Sequence, residues 1–438
     1  MKQSILLNTD SYKASMFVQY PPKTEAVYSY IESRDGKYNE LVFFGLQAFI
    51  KEYLSDPITQ EDIDEAEAIW TAHGEPFNRS GWEYILNEHD GYLPVEIKAV
   101  PEGMPVAIHD VMLTIENTDP NCFWLTTYLE TALLRAIWYP TTVATNSREI
   151  KKLIASYMDK TSDSREGLVF KLHDFGARGV SSNESAMLGG MSHLINFMGT
   201  DTIVATLGAR KYYGADMAGF SIPAAEHSTI TSWGKENEVE AYRNMVKQFG
   251  KPGALVAVVS DSYDIYNAVE NLWGEKLRQE VIDSGATVVV RPDSGIPWKV
   301  VRDTVKLLDK KYGSTKNSKG YRVLNNVRVI QGDGVDYEAI DKILQTLFVN
   351  RYSADNVAFG MGANLLSTSQ RDDQKFAMKC SAAKVDGVWR DVFKDPITDP
   401  GKKSKKGRFD DPRLKRVFYN GKLVRETTFD EVRQNAML

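Results

Sequence analysis

Residues 287–295 read TVVVRPDSG, an apolar β-branched run that ends abruptly in a cation, a proline, an anion and a turn. An unalternated run of this kind suits a strand buried on both faces, as in a parallel sheet. Pro292 ends the strand and stiffens the backbone that carries Arg291 and Asp293. The pattern recurs in LVFKLHDFG (168–176), DTIVATLG (201–208), GFSIPAAEH (219–227), ALVAVVSDSYD (254–264), VRVIQGDG (327–334) and NVAFGMG (356–362). Asp174, Asp201, His227, Asp261, Asp293, Asp333 and Gly362 mark these runs at spacings of 26 to 40 residues, room for one strand and one crossover helix. Between them, Met187, Leu188, Met191, Ile195 and Met198, and then Ile265, Val269 and Leu272, form apolar stripes at helical spacing. About seven βα units predict a closed or nearly closed barrel whose chemistry sits at the carboxyl ends of its strands. Asp174, His227, Asp261, Asp264, Arg291, Asp293 and Asp333 are expected to meet there, a concentration of charge that a ligand would use. Asp201 is irregular, because it precedes its apolar run.

The flanks read differently. Residues 41–54, 58–73 and 121–138 have helical spacing, whereas LPVEIKAV (93–100) alternates as a half-buried strand does, so residues 1–160 form an α+β region. Residues 161–375 form the barrel-like catalytic domain. Residues 376–438 carry Asp386-Gly387 and Asn420-Gly421, both two-residue hairpin turns, and are expected to be antiparallel strands that pack with the N-terminal region. The proline-broken stretch 394–408 between them reads as a loop.

Composition narrows the class. With 438 residues, 42% of them hydrophobic, and a net charge of −6, the chain is expected to fold as an enzyme-sized protein without a broad basic face for nucleic acid. Cys122 and Cys380 are far apart and form no CxxC pair, which supports neither a disulfide framework nor a cysteine zinc site and fits a cytoplasmic protein. The stretch MKQSILLNTDSYK is broken by Asn8 and Asp10 and does not read as a signal peptide. No run of 18 apolar residues suggests a membrane span.

NTDSYK with QYPP, KLHDFGARGVSS, SIPAAEHSTITSWG, VVSDSYDIYNA, RPDSG, VIQGDGVD and VFKDPITDPGKKSKKGR follow one another over nearly the whole chain. Together they resemble the nicotinamide phosphoribosyltransferase family. The resemblance implies an irregular barrel-like parallel βα domain of the type II phosphoribosyltransferase kind, with an α+β domain formed by the N- and C-terminal segments. It implies transfer of phosphoribose from 5-phosphoribosyl 1-pyrophosphate to nicotinamide, giving nicotinamide mononucleotide and pyrophosphate in NAD salvage. It further implies a homodimer with shared active sites, ATP as activating co-substrate through a phosphohistidine, and Mg2+ bound through the substrate phosphates rather than a protein metal site. The other readings are nicotinate phosphoribosyltransferase and a catalytically silent signalling or scaffold relative.

Residue by residue, the resemblance implies that Phe175 and Tyr12, the latter from the other subunit, stack on the pyridine ring. Asp201, Arg291 and Ser221 meet the carboxamide. Asp201 would repel nicotinate, since two carboxylates about 4 Å apart cost roughly 4 kcal/mol at an effective dielectric near 20. Asp293 stabilises the positive charge that develops on the sugar when pyrophosphate leaves, and Asp261 and Asp333 hold ribose hydroxyls. Arg178, Gly332, Gly362 and Arg371 surround the ribose and phosphates, His227 is the phosphorylated histidine, and Arg34, Lys394 and Lys402 reach the ATP phosphates. The chain departs from the family pattern at Ala363 and Asn364, where further glycine is usual, and at Ala377, where a phosphate-binding serine is expected.

Overall fold

A computed structural model describes residues 4–437, so the first three residues of the N-terminal stretch lie outside it. The chain forms two units, one comprising Asn146–Gly208 with Asp216–Thr368, the other Met1–Thr145 with Ala209–Ala215 and Ser369–Met437.

In the first unit the apolar runs become the parallel strands Gly199–Thr200, Leu172–Asp174, Val357–Met361, Val327–Gln331, Thr287–Arg291 and Leu255–Val259, hydrogen-bonded in that order. Alternate residues face opposite sides. Ala257, Val289 and Ile330 form a small apolar cluster against Phe175, Ile222 and Ala358, while Val256, Val258, Val288, Val290 and Val329 are buried as well. Burial of both faces explains why the runs do not alternate in polarity.

The sheet closes through residues 220–225. Phe220 pairs with Gly199 at one edge and Ala224 with Ala257 at the other, using Phe220 N to Met198 O at 2.7 Å and Ala225 N to Ala257 O at 3.0 Å. These residues make only isolated bridges because Pro223 lacks a donor. The barrel expected from the spacing is therefore present, with one segment reduced to a strap.

One expected strand is a helix. DTIVATLG begins the helix Ile203–Tyr213, and the strand is Gly199–Thr200, just before Asp201. Ala205, Ala209, Tyr212 and Tyr213 are buried at helical spacing. A reading that stopped at Gly208 missed the second half of that stripe. The correction also removes the irregularity of Asp201, which follows its strand like the other markers.

In the second unit seven antiparallel strands are ordered Val388–Asp391, Phe376–Val385, Thr24–Ser33, Val111–Asn117, Val95–Ala99, Lys415–Tyr419 and Lys422–Leu423. C-terminal strands thus flank a core of N-terminal ones. Both hairpins form at the expected turns: Asp386 and Gly387 have φ of 52° and 77°, Asn420 and Gly421 of 47° and 81°, the left-handed pair that matches strand twist. Residues 41–54 are not one helix, since Glu40–Val42 is a strand and the helix starts at Leu46 after Gly45 at φ 110°. Ile5 and Leu6 are buried in this unit's core. Among the described residues no helix is long and apolar enough to cross a membrane.

Candidate active site

The carboxyl ends of the parallel strands carry one unbroken chain of contacts. Ser221 Oγ donates to Asp201 Oδ1 at 2.6 Å, and His173 Nε2 lies 2.8 Å from the same oxygen. The His173 ring packs on Phe175 with centroids 5.2 Å apart. The guanidinium of Arg291 stands 5.5 Å from the Phe175 centroid, a cation–π distance. Arg291 donates from Nε and Nη2 to Asp293 Oδ1 at 3.1 and 2.8 Å. Asp293 N donates to Asp261 Oδ2 at 3.0 Å, Ser294 Oγ bonds the same oxygen, and His227 Nε2 lies 3.0 Å from Asp261 Oδ1. Phe175, Asp201, Ser221, His227, Asp261, Arg291 and Asp293 are thus brought together, as expected of one site.

Small residues shape the floor beneath Phe175. A Cβ on Gly360 would stand 1.9 Å from Phe175 Cε2, and one on Gly332 would lie 3.2 Å from that atom and 3.3 Å from Arg291 Nε. Glycine at 360 is therefore a requirement of close approach. Gly362 precedes the short helix Ala363–Leu366, and its Cβ would fall 3.6 Å from the Phe175 carbonyl oxygen. Arg178 is exposed in the turn Ala177–Gly179, and Asp333 is exposed while its carbonyl accepts from Gln331 Nε2 at 2.9 Å.

Three strand-end carboxylates, Asp174, Asp264 and the exposed Asp333, do not join the chain of contacts. Asp174 is fully buried; its Oδ1 accepts from Gly176 N at 2.7 Å, its carbonyl accepts from Asp201 N at 2.9 Å, and burial pushes its carboxyl above the ordinary range. Asp264 caps the next helix by accepting from Tyr266 N and Asn267 N at 2.9 and 3.1 Å. Arg291 and Asp293 are hydrogen-bonded to each other, because the two-residue offset lets the guanidinium fork reach back to the carboxylate.

Electrostatics keep Asp201 and Asp261 charged. Burial pushes Asp201 up, but the hydrogen bonds from His173 and Ser221 and the charge of Arg291 outweigh it, leaving the carboxyl below its ordinary value. For Asp261 burial is likewise outweighed, by Ser294, His227 and the amide of Asp293. Both remain anionic at neutral pH.

The second unit holds a cationic pocket of about 230 Å³, lined by Arg34, Arg371, Lys379, Lys394 and Lys402 together with Glu130. Arg34 Nε is buried and has no hydrogen-bond partner among the described residues. Burial lowers Lys379 below the ordinary lysine range, and the charges of Arg34 and Lys394 act in the same direction against Glu130. Converging cations with an unsatisfied donor fit a polyanion. Ala377 also lines this pocket and offers no hydroxyl. Tyr12 lies in this unit, exposed, in the turn Ser11–Lys13.

Sequence reading missed His173 and Lys379. His173 is two residues before Phe175, and Lys379 two after Ala377, so strand alternation was the available signal in each case.

Comparison with known proteins places the whole chain in a family. The nicotinate phosphoribosyltransferase (NAPRTase) family matches residues 170–422, and the nicotinamide phosphoribosyltransferase N-terminal domain matches residues 4–97. A nicotinamide phosphoribosyltransferase of Xanthomonas campestris pv. campestris (strain 8004) is 55% identical, covering 99% of this chain and 98% of the relative. That of Acinetobacter baylyi is 35% identical over 97% of this chain and 95% of the relative. The crystal structure of a nicotinate-nucleotide pyrophosphorylase from Pyrococcus furiosus superimposes with a TM-score of 0.60 at 17% identity, covering 99% of this chain and 94% of that one, a likeness of fold. A barrel mouth of this composition, with relatives matched over almost their full length, makes the chain a member of the nicotinate phosphoribosyltransferase family, among its nicotinamide phosphoribosyltransferases.

Proposed function

We propose that the barrel mouth transfers phosphoribose from 5-phosphoribosyl 1-pyrophosphate to the ring nitrogen of nicotinamide. The bond from the anomeric carbon to pyrophosphate breaks with its electron pair on the leaving oxygen, and the ring nitrogen's lone pair forms the new bond, giving nicotinamide mononucleotide. The observation that carries this reading is Asp201, an ionised carboxylate on the same rim as the Phe175 ring and the Arg291 guanidinium. The ring offers a flat face for the pyridine. Asp201 accepts from the carboxamide NH2, and Arg291 donates to its oxygen. The carboxylates of Asp293 and Asp261 favour the positive charge that grows on the sugar, and Asp333 and Arg178 face the ribose and phosphates. The companion acid, nicotinate, would bring its anion against Asp201.

Both oxygens of Asp261 already hold protein donors, so the acids fit a Mg2+ carried on the substrate phosphates, where it would neutralise the leaving group. His227, exposed at the first turn of the helix His227–Thr231, is read as the acceptor of a phosphoryl group from ATP. With Nε2–H donated to the Asp261 anion, the lone pair is on Nδ1. The bond from the γ-phosphorus to ADP breaks as the N–P bond forms. The cationic pocket is read as the polyphosphate site, and Tyr12 as a residue given to the other subunit of a homodimer. The free cysteines Cys122 and Cys380 fit a cytoplasmic setting.

The test incubates the purified protein with phosphoribosyl pyrophosphate, Mg2+ and either nicotinamide or nicotinate, with and without ATP. Nicotinamide mononucleotide is expected as the main product, in greater amount with ATP. Preferential formation of nicotinate mononucleotide, or no mononucleotide, overturns the reading.

A further inference from the structure

Asp201 spends one oxygen inside the protein. Oδ1 takes both His173 Nε2 and Ser221 Oγ, at 2.8 and 2.6 Å. An ionised carboxylate only accepts, so the imidazole carries its hydrogen on Nε2. Three surfaces hold that imidazole. Its ring packs on Phe175 with planes 58° apart, Nε2 is tied to Asp201, and the neighbouring strand places Gly199 opposite His173 in register. A Cβ on Gly199 would stand 2.7 Å from His173 Nδ1 and 3.3 Å from Cγ, closer than a side chain tolerates. Gly199 has no need of a left-handed backbone here; it leaves the space that the imidazole fills.

We propose that His173 is a positioning residue for base selection: with Ser221 it engages Oδ1 of Asp201, so that Oδ2 alone is offered to the carboxamide, and it sets the tilt of the Phe175 ring. This rests on the reading of Asp201 as the group that meets the base. Without the imidazole the carboxylate can turn about its bond to Cβ and find other donors, including the Arg291 fork. Discrimination between amide and acid then weakens although Asp201 is still present. Gly199 acts one step further back, through His173.

The test is the ratio of kcat/KM for nicotinamide over nicotinate, with phosphoribosyl pyrophosphate saturating, in wild type, Asp201→Asn, His173→Leu, His173→Gln and Gly199→Ala. Loss of a charge-assisted hydrogen bond predicts a ratio lower by about tenfold to a hundredfold in His173→Leu. The loss should fall on KM for nicotinamide more than on kcat. His173→Gln, which keeps an N–H at similar reach, should recover most of the ratio, and Gly199→Ala should lower it as His173→Leu does. A merely structural histidine would depress kcat and the unfolding midpoint for both bases and leave the ratio alone, and that result overturns the proposal. If His173→Leu does not fold, His173→Gln and Gly199→Ala decide by the same ratio. An altered ratio in Asp201→Asn with none in the His173 and Gly199 variants removes only the positioning role, whereas an unchanged ratio in Asp201→Asn removes the reading of Asp201 as well.

Discussion

His227 Nε2 sits 3.0 Å from Oδ1 of Asp261, whose other oxygen is held by the amide of Asp293 and the hydroxyl of Ser294. One carboxylate therefore ties the histidine proposed to take phosphate to the strand end that carries Arg291. Replacing Asp261 with Asn removes the anion that holds the proton on Nε2. Both Asp261→Asn and His227→Ala are expected to lower ATP hydrolysis by at least about a hundredfold. Some ATP-independent transfer should persist in His227→Ala. Hydrolysis of ATP at the wild-type rate in His227→Ala, followed by ADP release, would rule out this histidine as the acceptor.

Asp293 holds Arg291 by two hydrogen bonds to one oxygen. Asp293→Ala frees the guanidinium from its place over Phe175 and removes an anion from the developing cation. The expected result is a kcat lower by about a hundredfold or more with KM changed by only a few fold. Steady-state kinetics for both substrates measure the split, and a change confined to KM would take Asp293 out of the chemical step.

Gly360 leaves no room for a methyl group, since its Cβ would lie 1.9 Å from Phe175 Cε2 and 2.3 Å from Cδ2. Gly360→Ala must displace the ring. KM for nicotinamide is expected to rise about tenfold, while the cost in stability stays within the roughly 1–3 kcal/mol of an overpacked site. Phe175→Leu, which introduces no clash, should raise KM similarly. An unchanged KM in both would separate the ring from base binding.

Glu102, in the antiparallel unit, predicts a pH dependence of stability. It is buried, its Oε1 accepts from Gly45 N at 2.6 Å and Tyr213 Oη at 3.2 Å, and its Oε2 has no partner among the described residues. Burial pushes its carboxyl from 4.5 up to about 7, against the bonds from Gly45 and Tyr213. Below pH 4.5 both folded and unfolded chains hold the proton. Between 4.5 and about 7 only the folded chain does, so stability falls as pH rises through this window and then levels off, by about 3 kcal/mol in all. Urea unfolding at pH 5 and pH 8 should show that Glu102→Gln loses about 3 kcal/mol less than wild type over this interval. Equal losses in the two proteins would mean that Glu102 is ionised in the folded state.

Added salt tests the cationic pocket of Arg34, Arg371, Lys379, Lys394 and Lys402. Lys379→Ala and Lys394→Ala are expected to raise KM for the polyphosphate substrates about tenfold and to flatten the increase of KM with ionic strength. Wild-type salt dependence in both variants would assign the phosphates elsewhere.

Much of the architecture was legible in the chain itself. The runs before Asp261 and Arg291 are too short and too β-branched to be helices, and their spacing leaves room for one crossover each. Asp386-Gly387 and Asn420-Gly421 adopt the left-handed pairs that these residues tolerate best. Such features depend on neighbours in sequence. Residues 201–208 failed for the same reason, because a short apolar window does not distinguish a strand from the first half of a helix.

Contacts between remote segments were a matter for the tertiary structure. Asp174 and Asp264 look like Asp261 in sequence, yet one is fully buried on the amide of Gly176 and the other caps a helix, since a carboxylate takes whichever donors the fold brings to it. The pairing of His173 with Asp201 needs Gly199 opposite, a strand neighbour 26 residues away that strand register selects. Local sequence thus determined the strands, their turns and the set of residue types available for chemistry. Packing determined which of those residues touch, because burial and hydrogen-bond partners exist only once the segments have come together.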